Sequence, residues 1–232
     1  MIKIIPSEQR HRRDFGWLDA RWHFSFSDYY DPENTGWGPL RVFNDDVIQG
    51  GGGFGAHPHR DMEIVTIVLE GILEHSDSLG HRAQIRPGEV QMMSAGTGIT
   101  HAEYNESNDD PVHLLQLWIE PRTKGLTPRY EQKTFANADR QDKLLPVVSS
   151  GGVPGTLTID QDAIIYVSRL NRGQRVEHEL APPRRAYLFL INGLMTINGQ
   201  PLRPGDQARV VDETRLSFTA SEPSEFVLLD LP

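Results

Sequence analysis

The sequence predicts an all-β protein of sandwich or barrel type. Its 21 glycines and 16 prolines are spread along all 232 residues rather than gathered into a linker, which is typical of many short strands. The long apolar runs are rich in β-branched residues and end at such breakers. Helical patterns are sparse, and we expect only one short helix, within residues 137–145.

Four apolar runs are predicted to be buried strands because each is continuous and short. The first ends at a Glu-Gly pair and the second stops two residues before a proline. In chain order the runs are residues 64–69, 112–119, 187–191 and 226–229.

The second half of the chain repeats a pattern of the first half. In each half a buried strand ends at a turn glycine, and an Arg-Pro-Gly turn followed by an acidic residue comes later. The matching segments are 67–71 with 86–89, and 189–193 with 203–206. We therefore predict two copies of one β domain with a boundary in the polar stretch 123–142. Chance similarity of a turn motif is the alternative.

Composition excludes several classes of function. The formal net charge of −9 lacks the basic footprint of a direct nucleic-acid binder. The absence of cysteine excludes disulfides, thiolate-held clusters and a cysteine nucleophile, so that any metal must be bound by histidines and carboxylates. No apolar stretch approaches the roughly 18 residues of a membrane span, and the N-terminal apolar run is too short for a signal peptide. We expect a cytoplasmic monomer that does not bind membranes.

Two segments carry the candidate chemistry: His57-Pro58-His59 and His101-Ala102-Glu103. Side chains two apart on a strand face the same way, so each pair would point into one barrel if the two strands are neighbours. Three imidazoles and one carboxylate suit iron, copper, nickel, manganese or zinc, and six-coordination would leave two positions for substrate and for oxygen or water. The alternative is that these are half-buried, hydrogen-bonded histidines.

The residues around these ligands resemble the two motifs of the cupin superfamily. The particular pattern is similar to that of the pirin family: His-Pro-His-Arg at 57–60, Leu-Glu-Gly at 69–71, Gly-x-Gly-Ile-x-His-Ala-Glu at 96–103 and Leu-Gln-Leu-Trp at 115–118. Pirins are bicupins, so the resemblance implies two jelly-roll cupin domains in tandem. We expect a metal-binding domain over residues 1–130 and a second domain over 131–232.

The resemblance also implies a ligand set. In pirins the metal is held by the residues here numbered His57, His59, His101 and Glu103. Single-domain cupins use a glutamate of the first motif, which is Glu63 here, but Glu103 pairs with His101 on one strand face and is the preferred ligand. We expect Glu63 to contact the ligands or to be structural, and His113 to be either a ligand-contacting or a core residue.

The second copy lacks a ligand set. Alignment on the turn glycines places Glu179 and Ala181 against the first two histidines, and alignment on the later turn places Phe218 and Ala220 against the other pair. We therefore expect the C-terminal domain to bind no metal.

The remaining histidines and the aromatic residues have weaker functional claims. His75 and His81 are predicted to lie in a solvated hairpin loop, and three other histidines at 11, 23 and 178 on the surface or in packing. An aromatic cluster between residues 17 and 37 is predicted to be mostly core, with one or two members lining a substrate pocket.

The predicted function is that of a metal-dependent dioxygenase. For several pirins the resemblance implies cleavage of the flavonol quercetin by dioxygen with release of carbon monoxide. Glu103 would accept the proton of the substrate's 3-hydroxyl. One divalent transition metal is expected, iron first, and the partners are a small aromatic substrate and O2. The alternatives are a metal- or redox-sensing regulator that acts through a protein partner, and a cupin isomerase or hydrolase acting on another small metabolite.

Overall fold

The computed structural model describes all 232 residues of the protein and consists almost entirely of β-strands. The first twelve strands are β1 (Ile2–Ile5), β2 (His11–Asp14), β3 (Leu18–Trp22), β4 (Leu40–Ile48), β5 (Gly53–His59), β6 (Glu63–Glu70), β7 (Leu73–Asp77), β8 (Arg82–Ile85), β9 (Glu89–Ser94), β10 (Ile99–Asn105), β11 (Val112–Ile119) and β12 (Arg129–Thr134). The remaining ten are β13 (Leu145–Ser149), β14 (Leu157–Thr158), β15 (Ile164–Leu170), β16 (Arg175–Glu179), β17 (Arg185–Asn192), β18 (Met195–Ile197), β19 (Gln200–Leu202), β20 (Gln207–Val210), β21 (Arg215–Ala220) and β22 (Ser224–Leu231). The predicted all-β fold is confirmed.

The short helix predicted within residues 137–145 is present as a single 3-10 turn over Asn137–Asp139, and a second such turn, which was not predicted, lies at Ser7–Gln9. The backbone of Asp142 has a φ of 55°, in the left-handed region, which no α-helix can pass through. No helical segment is both long enough and apolar enough to cross a bilayer.

The chain forms two compact units. The N-terminal unit comprises His11–Thr134 with Ile159–Gln161, and the C-terminal unit comprises Phe135–Thr158 and Asp162–Pro232 together with Met1–Arg10. The first ten residues belong to the C-terminal unit, although they precede the other unit in sequence, because β1 pairs antiparallel with β20 along its whole length.

Each unit has one seven-stranded sheet and one four-stranded sheet. In the N-terminal unit the orders are β12-β9-β6-β11-β4-β3-β2 and β5-β10-β7-β8. In the C-terminal unit they are β1-β20-β17-β22-β15-β13-β14 and β16-β21-β18-β19. Nine strands correspond in chain order and in sheet position, β3–β11 with β13 and β15–β22, so the internal repeat predicted from the turn motifs is confirmed as a repeat of topology. The edge strands differ, since β2 pairs antiparallel with β3 whereas β14 pairs parallel with β13.

The repeated Arg-Pro-Gly turns have the same hydrogen bonds. In the first turn the backbone N–H of Arg86 donates to the carboxylate of Glu89 at 2.8 Å, and in the second the N–H of Arg203 donates to Asp206 at 2.8 Å. The acidic residue at the fourth position therefore closes the turn with its side chain, which explains its presence in both copies.

The inward face of the seven-stranded sheet in the N-terminal unit has a row of polar side chains between two apolar regions. On β6 the alternate residues are Ile64, Thr66 and Val68, of which the first and the last belong to two separate apolar clusters. Thr66, between them, belongs to a polar band, which we define as four polar residues paired directly across neighbouring strands. From β4 through β11 and β6 to β9 these are Asn44, Gln116, Thr66 and Gln91.

Candidate metal centre

Strands β5 and β10 bring three histidines together. His57 and His59 are two apart on β5 and point the same way, and antiparallel pairing sets His101 of β10 directly opposite His57. The ring centroids are 4.9 Å apart for His57 and His59, 4.4 Å for His57 and His101, and 4.9 Å for His59 and His101. One ring nitrogen from each lies within 4.8 Å of the others, a spacing suited to one metal ion.

The regular register of β10 against β7 places the carboxylate of Glu103, which lies opposite His75. On the other side of β10 there is a β-bulge in β5: Glu103 is paired with Phe54, so that β5 has one residue more than β10 between this pair and the pair of His101 with His57. Bulges are frequent beside active sites. Glu103 is 2% exposed, and its Oε2 accepts a hydrogen bond from Gln116 Nε2 at 2.7 Å. Its carboxylate lies within 4.8 Å of ring nitrogens of His101 and His75.

The hydrogen bonds leave metal-binding atoms open. His57 Nδ1 lies 2.8 Å from the carbonyl oxygen of Gly55, which can only accept, so Nδ1 carries the proton and Nε2 has the lone pair. His59 Nε2, His101 Nε2 and Glu103 Oε1 are buried without a hydrogen-bond partner. Buried polar atoms are nearly always paired, so these open atoms fit a site for a single transition metal.

The electrostatics of the site favour a bound cation. Burial lowers the pKa of His59 to about 4 and that of His101 to about 2, with the charge of His57 as a further cause, so both rings are neutral and able to bind metal. Burial also raises the pKa of Glu103 to about 7, against the opposing effect of its hydrogen bond from Gln116. A divalent cation would remove the cost of ionising this carboxylate.

The predicted position of His75 is wrong. A solvated loop was expected there, but His75 is 2% exposed on β7, where it is paired with Glu103 of β10. Its Nδ1 lies 3.5 Å from His101 Nδ1, and its Nε2 lies 3.2 Å from the carboxylate of Asp77. The period-two spacing of His75 and Asp77 is the signal that could have identified this inward-facing strand.

Glu63 and His113 were suggested by the sequence as residues that contact the ligands, but their hydrogen bonds are made to other residues. Glu63 is buried and accepts hydrogen bonds from the Ser94 hydroxyl and the backbone N–H of Asp160. His113 Nε2 lies 2.6 Å from the carboxylate of Asp45.

A cavity of about 600 Å³ opens beside the histidines, within the size range of small-molecule sites. Its apolar wall is formed by six aromatic side chains: Phe15, Trp17, Trp22, Phe26, Phe54 and Trp118. Glu103, His57, Gln116, Asn44 and Asp46 supply its polar groups. One or two residues of the aromatic cluster were expected to line a pocket, and three of them do: Trp17, Trp22 and Phe26.

Comparison with known proteins agrees with this geometry. Residues 6–119 match the family model Pirin, and residues 146–231 match the model described as a quercetinase C-terminal cupin domain. The chain is 46% identical, over all of its own length and 99% of the relative's, to a quercetin 2,3-dioxygenase of Escherichia coli strain K12. It is 41% identical to a pirin-like protein of Caulobacter vibrioides, covering 99% of each chain.

A solved structure extends the similarity to three dimensions. The crystal structure of the bacterial pirin YhhW of Escherichia coli in complex with nickel(II) has a TM-score of 0.95 and 44% sequence identity, covering 100% of this chain and 99% of that one. Given this likeness over the full length and the two repeated units, the chain belongs to the pirin family of bicupins.

Proposed function

We propose that the protein is a metal-dependent dioxygenase that cleaves a flavonol such as quercetin with O2 and releases carbon monoxide. The observation that carries the proposal is the position of Glu103, a buried carboxylate that lies within 4.8 Å of His101, a member of the three-histidine cluster, and on the wall of an aromatic cavity. The similarity to a protein named quercetin 2,3-dioxygenase supports the same substrate class.

In this proposal His57, His59, His101 and Glu103 hold one divalent transition metal. Such a metal supplies Lewis acidity toward a substrate hydroxyl and, where redox-active, electron transfer with dioxygen. Iron is the metal we expect, with nickel, copper, manganese and zinc as alternatives. Nickel is the ion in the structure of the related bacterial pirin.

Glu103 would accept the proton of the flavonol 3-hydroxyl. Gln116 donates to Oε2 of the carboxylate, so Oε1 is the oxygen that would hold the metal before the substrate binds and would turn to the incoming hydroxyl to accept its proton. The aromatic walls would bind the flat rings of the flavonol and exclude water, which strengthens the polar contacts made at the reacting end. Glu63 and His113 are assigned to support of the fold around the site, through their contacts with Ser94 and Asp45.

We further propose that the C-terminal domain, residues 131–232, binds no metal. The strand pair β16 and β21 corresponds to β5 and β10. With Phe218 in the place of His101, as alignment on the later turn has it, the residue directly opposite is Val176, where the first copy has His57. Both side chains pack into the apolar cluster of the C-terminal unit.

The test is aerobic incubation of the metal-loaded protein with quercetin, following quercetin absorbance, oxygen uptake and carbon monoxide together. We expect all three signals to change in step in the wild type and to be lost after removal of the metal by a chelator. The variant His101→Ala removes a central ligand and should lose activity to background. His178→Ala, on β16 of the C-terminal unit, is the matched control and should keep it.

Two results would contradict the proposal. One is quercetin loss in His101→Ala at the wild-type rate, and the other is quercetin loss without oxygen uptake or carbon monoxide. Either would show that the site does not carry out this reaction.

A further inference from the structure

We propose that Asn44 and Asp46 recognise the hydroxyl groups on the edge of the aromatic ligand, and so select a polyhydroxylated ring system over a plain one. The ligand class rests on the proposed function, whereas the two residues are identified from the geometry of the cavity.

The two side chains form one polar edge of the cavity. They are two apart on β4, so they face the same way, and both line the cavity of about 600 Å³. Asn44 is 3% exposed and Asp46 is 4% exposed. The Oδ1 atom of each is buried and has no hydrogen-bond partner in the protein.

Such atoms are costly for a folded protein. A buried polar group without a hydrogen-bond partner destabilises the folded protein, and two such groups beside one cavity call for a partner that arrives with a ligand. Asp45, which lies between the two residues, shows the contrast. It faces the other way and has its partner within the protein, the imidazole of His113 at 2.6 Å.

The rest of the cavity restricts the ligand. No lysine or arginine lines it, so apart from a bound metal its lining offers no cation to an anionic group on the edge of the ligand. The aromatic walls require flat apolar faces. Both Oδ1 atoms accept hydrogen bonds, so the ligand must donate them from its edge, as phenolic hydroxyls do.

Protonation of Asp46 would allow its carboxyl group to donate a hydrogen bond to the ligand as well as to accept one. Burial and the neighbouring charges of Asp45 and Glu103 raise the pKa of Asp46 well above its ordinary value. As a neutral acid the side chain donates one hydrogen bond and accepts others, which suits a hydroxyl that does both.

The experiment compares two ligands under anaerobic conditions, so that binding is measured without turnover. The metal-loaded protein is titrated with quercetin and with 3-hydroxyflavone, which keeps the ring framework and the 3-hydroxyl but lacks the other hydroxyls. Quenching of tryptophan fluorescence reports binding. The variants are Asn44→Leu and Asp46→Leu, with Asp45→Asn as the control on the opposite face of β4.

We expect each leucine variant to raise the Kd of quercetin about tenfold, the effect of one lost hydrogen bond of about 1.4 kcal/mol. The Kd of 3-hydroxyflavone should change less than about twofold, because this ligand has no edge hydroxyl to lose. Asp45→Asn should leave the ratio of the two Kd values unchanged.

Thermal unfolding without ligand gives a second readout. Replacing an unpartnered buried polar group by an apolar one is neutral or stabilising, so the leucine variants should keep or raise Tm. Asp45→Asn replaces the carboxylate that is hydrogen-bonded to His113 and should lower Tm. If Asp46→Leu does not fold, the Kd values of the two ligands for Asn44→Leu decide whether the inference holds.

The outcomes separate this inference from the proposed function. Equal weakening of both ligands, or no binding of quercetin by the wild type, would overturn the inference. Selective weakening of quercetin in a protein that consumes no oxygen would support the inference while the dioxygenase proposal fails.

Discussion

At the scale of single residues, Gln116 controls which oxygen of Glu103 is available. It lies in the polar band on β11, donates from Nε2 to Glu103 at 2.7 Å, and accepts from Trp118 Nε1 at 3.1 Å. Both ends of the amide are therefore engaged, which fixes its orientation and that of the carboxylate. Contacts of this kind around a ligand commonly change metal affinity 10–100-fold.

We predict that Gln116→Leu weakens metal binding about tenfold or more, because Glu103 loses the donor that holds it. The measurement is competition for nickel against a chelator of known affinity. Gln132→Leu is the matched control, since Gln132 bonds to the Gln84 carbonyl and Glu89 instead. Equal nickel affinity in Gln116→Leu and the wild type would contradict the assigned role of Gln116.

At the scale of elements, short polar contacts decide where strands begin and end. Asp142 lies just before β13 with a left-handed backbone, and its carboxylate accepts the N–H of Asn171 at 2.7 Å and the amide of the same residue at 2.9 Å. Its own N–H donates to Arg169 of β15 at 2.7 Å. This residue therefore ties the segment entering β13 to the end of β15.

We predict that Asp142→Asn lowers Tm at pH 7 and lowers it less at pH 3. The backbone hydrogen bond from Asn171 is the main cause that lowers the pKa of Asp142 from 3.8, so the stabilisation is full above 3.8 and is lost as the pH falls through the lowered pKa. Asparagine tolerates the same left-handed backbone, so the substitution isolates the charge. Thermal unfolding at the two pH values is the measurement, and an equal loss at both would mean that the carboxylate charge is not involved.

At the scale of the whole molecule, two units of the same topology have interiors of different chemistry. The N-terminal unit encloses a polar band and open ligand atoms, whereas the C-terminal unit fills the corresponding strands with apolar side chains such as Phe218 and Met195. The two units share the order of nine strands and the Arg-Pro-Gly turns, and the two clusters of histidines and carboxylates lie in the N-terminal unit.

We predict one transition metal ion per chain, measured by elemental analysis of the purified protein after loading with nickel or iron. The double variant His57→Ala/His101→Ala removes two of the proposed ligands and should retain none. Two ions per wild-type chain, or one in the double variant, would place a metal elsewhere and contradict the assignment.

The sequence determined the fold class, the repeat and the three-histidine cluster. Strands and turns were predictable because the conformational preferences of β-branched residues, glycine and proline are local. The two-residue period of a strand likewise sets His57 on the same face as His59, and His101 on the same face as Glu103. Antiparallel pairing of β5 with β10 then confirmed that the two pairs are neighbours.

Only the tertiary structure decided which other residues surround the cluster. His75, Asn44 and Asp46 have polar side chains that local patterns assign to surfaces or loops, and their burial depends on sheets formed by strands distant in sequence. Whether a polar atom has a hydrogen-bond partner depends on which atoms the fold brings near it. The unpartnered Oδ1 atoms of Asn44 and Asp46 beside the cavity could therefore not be identified from the sequence.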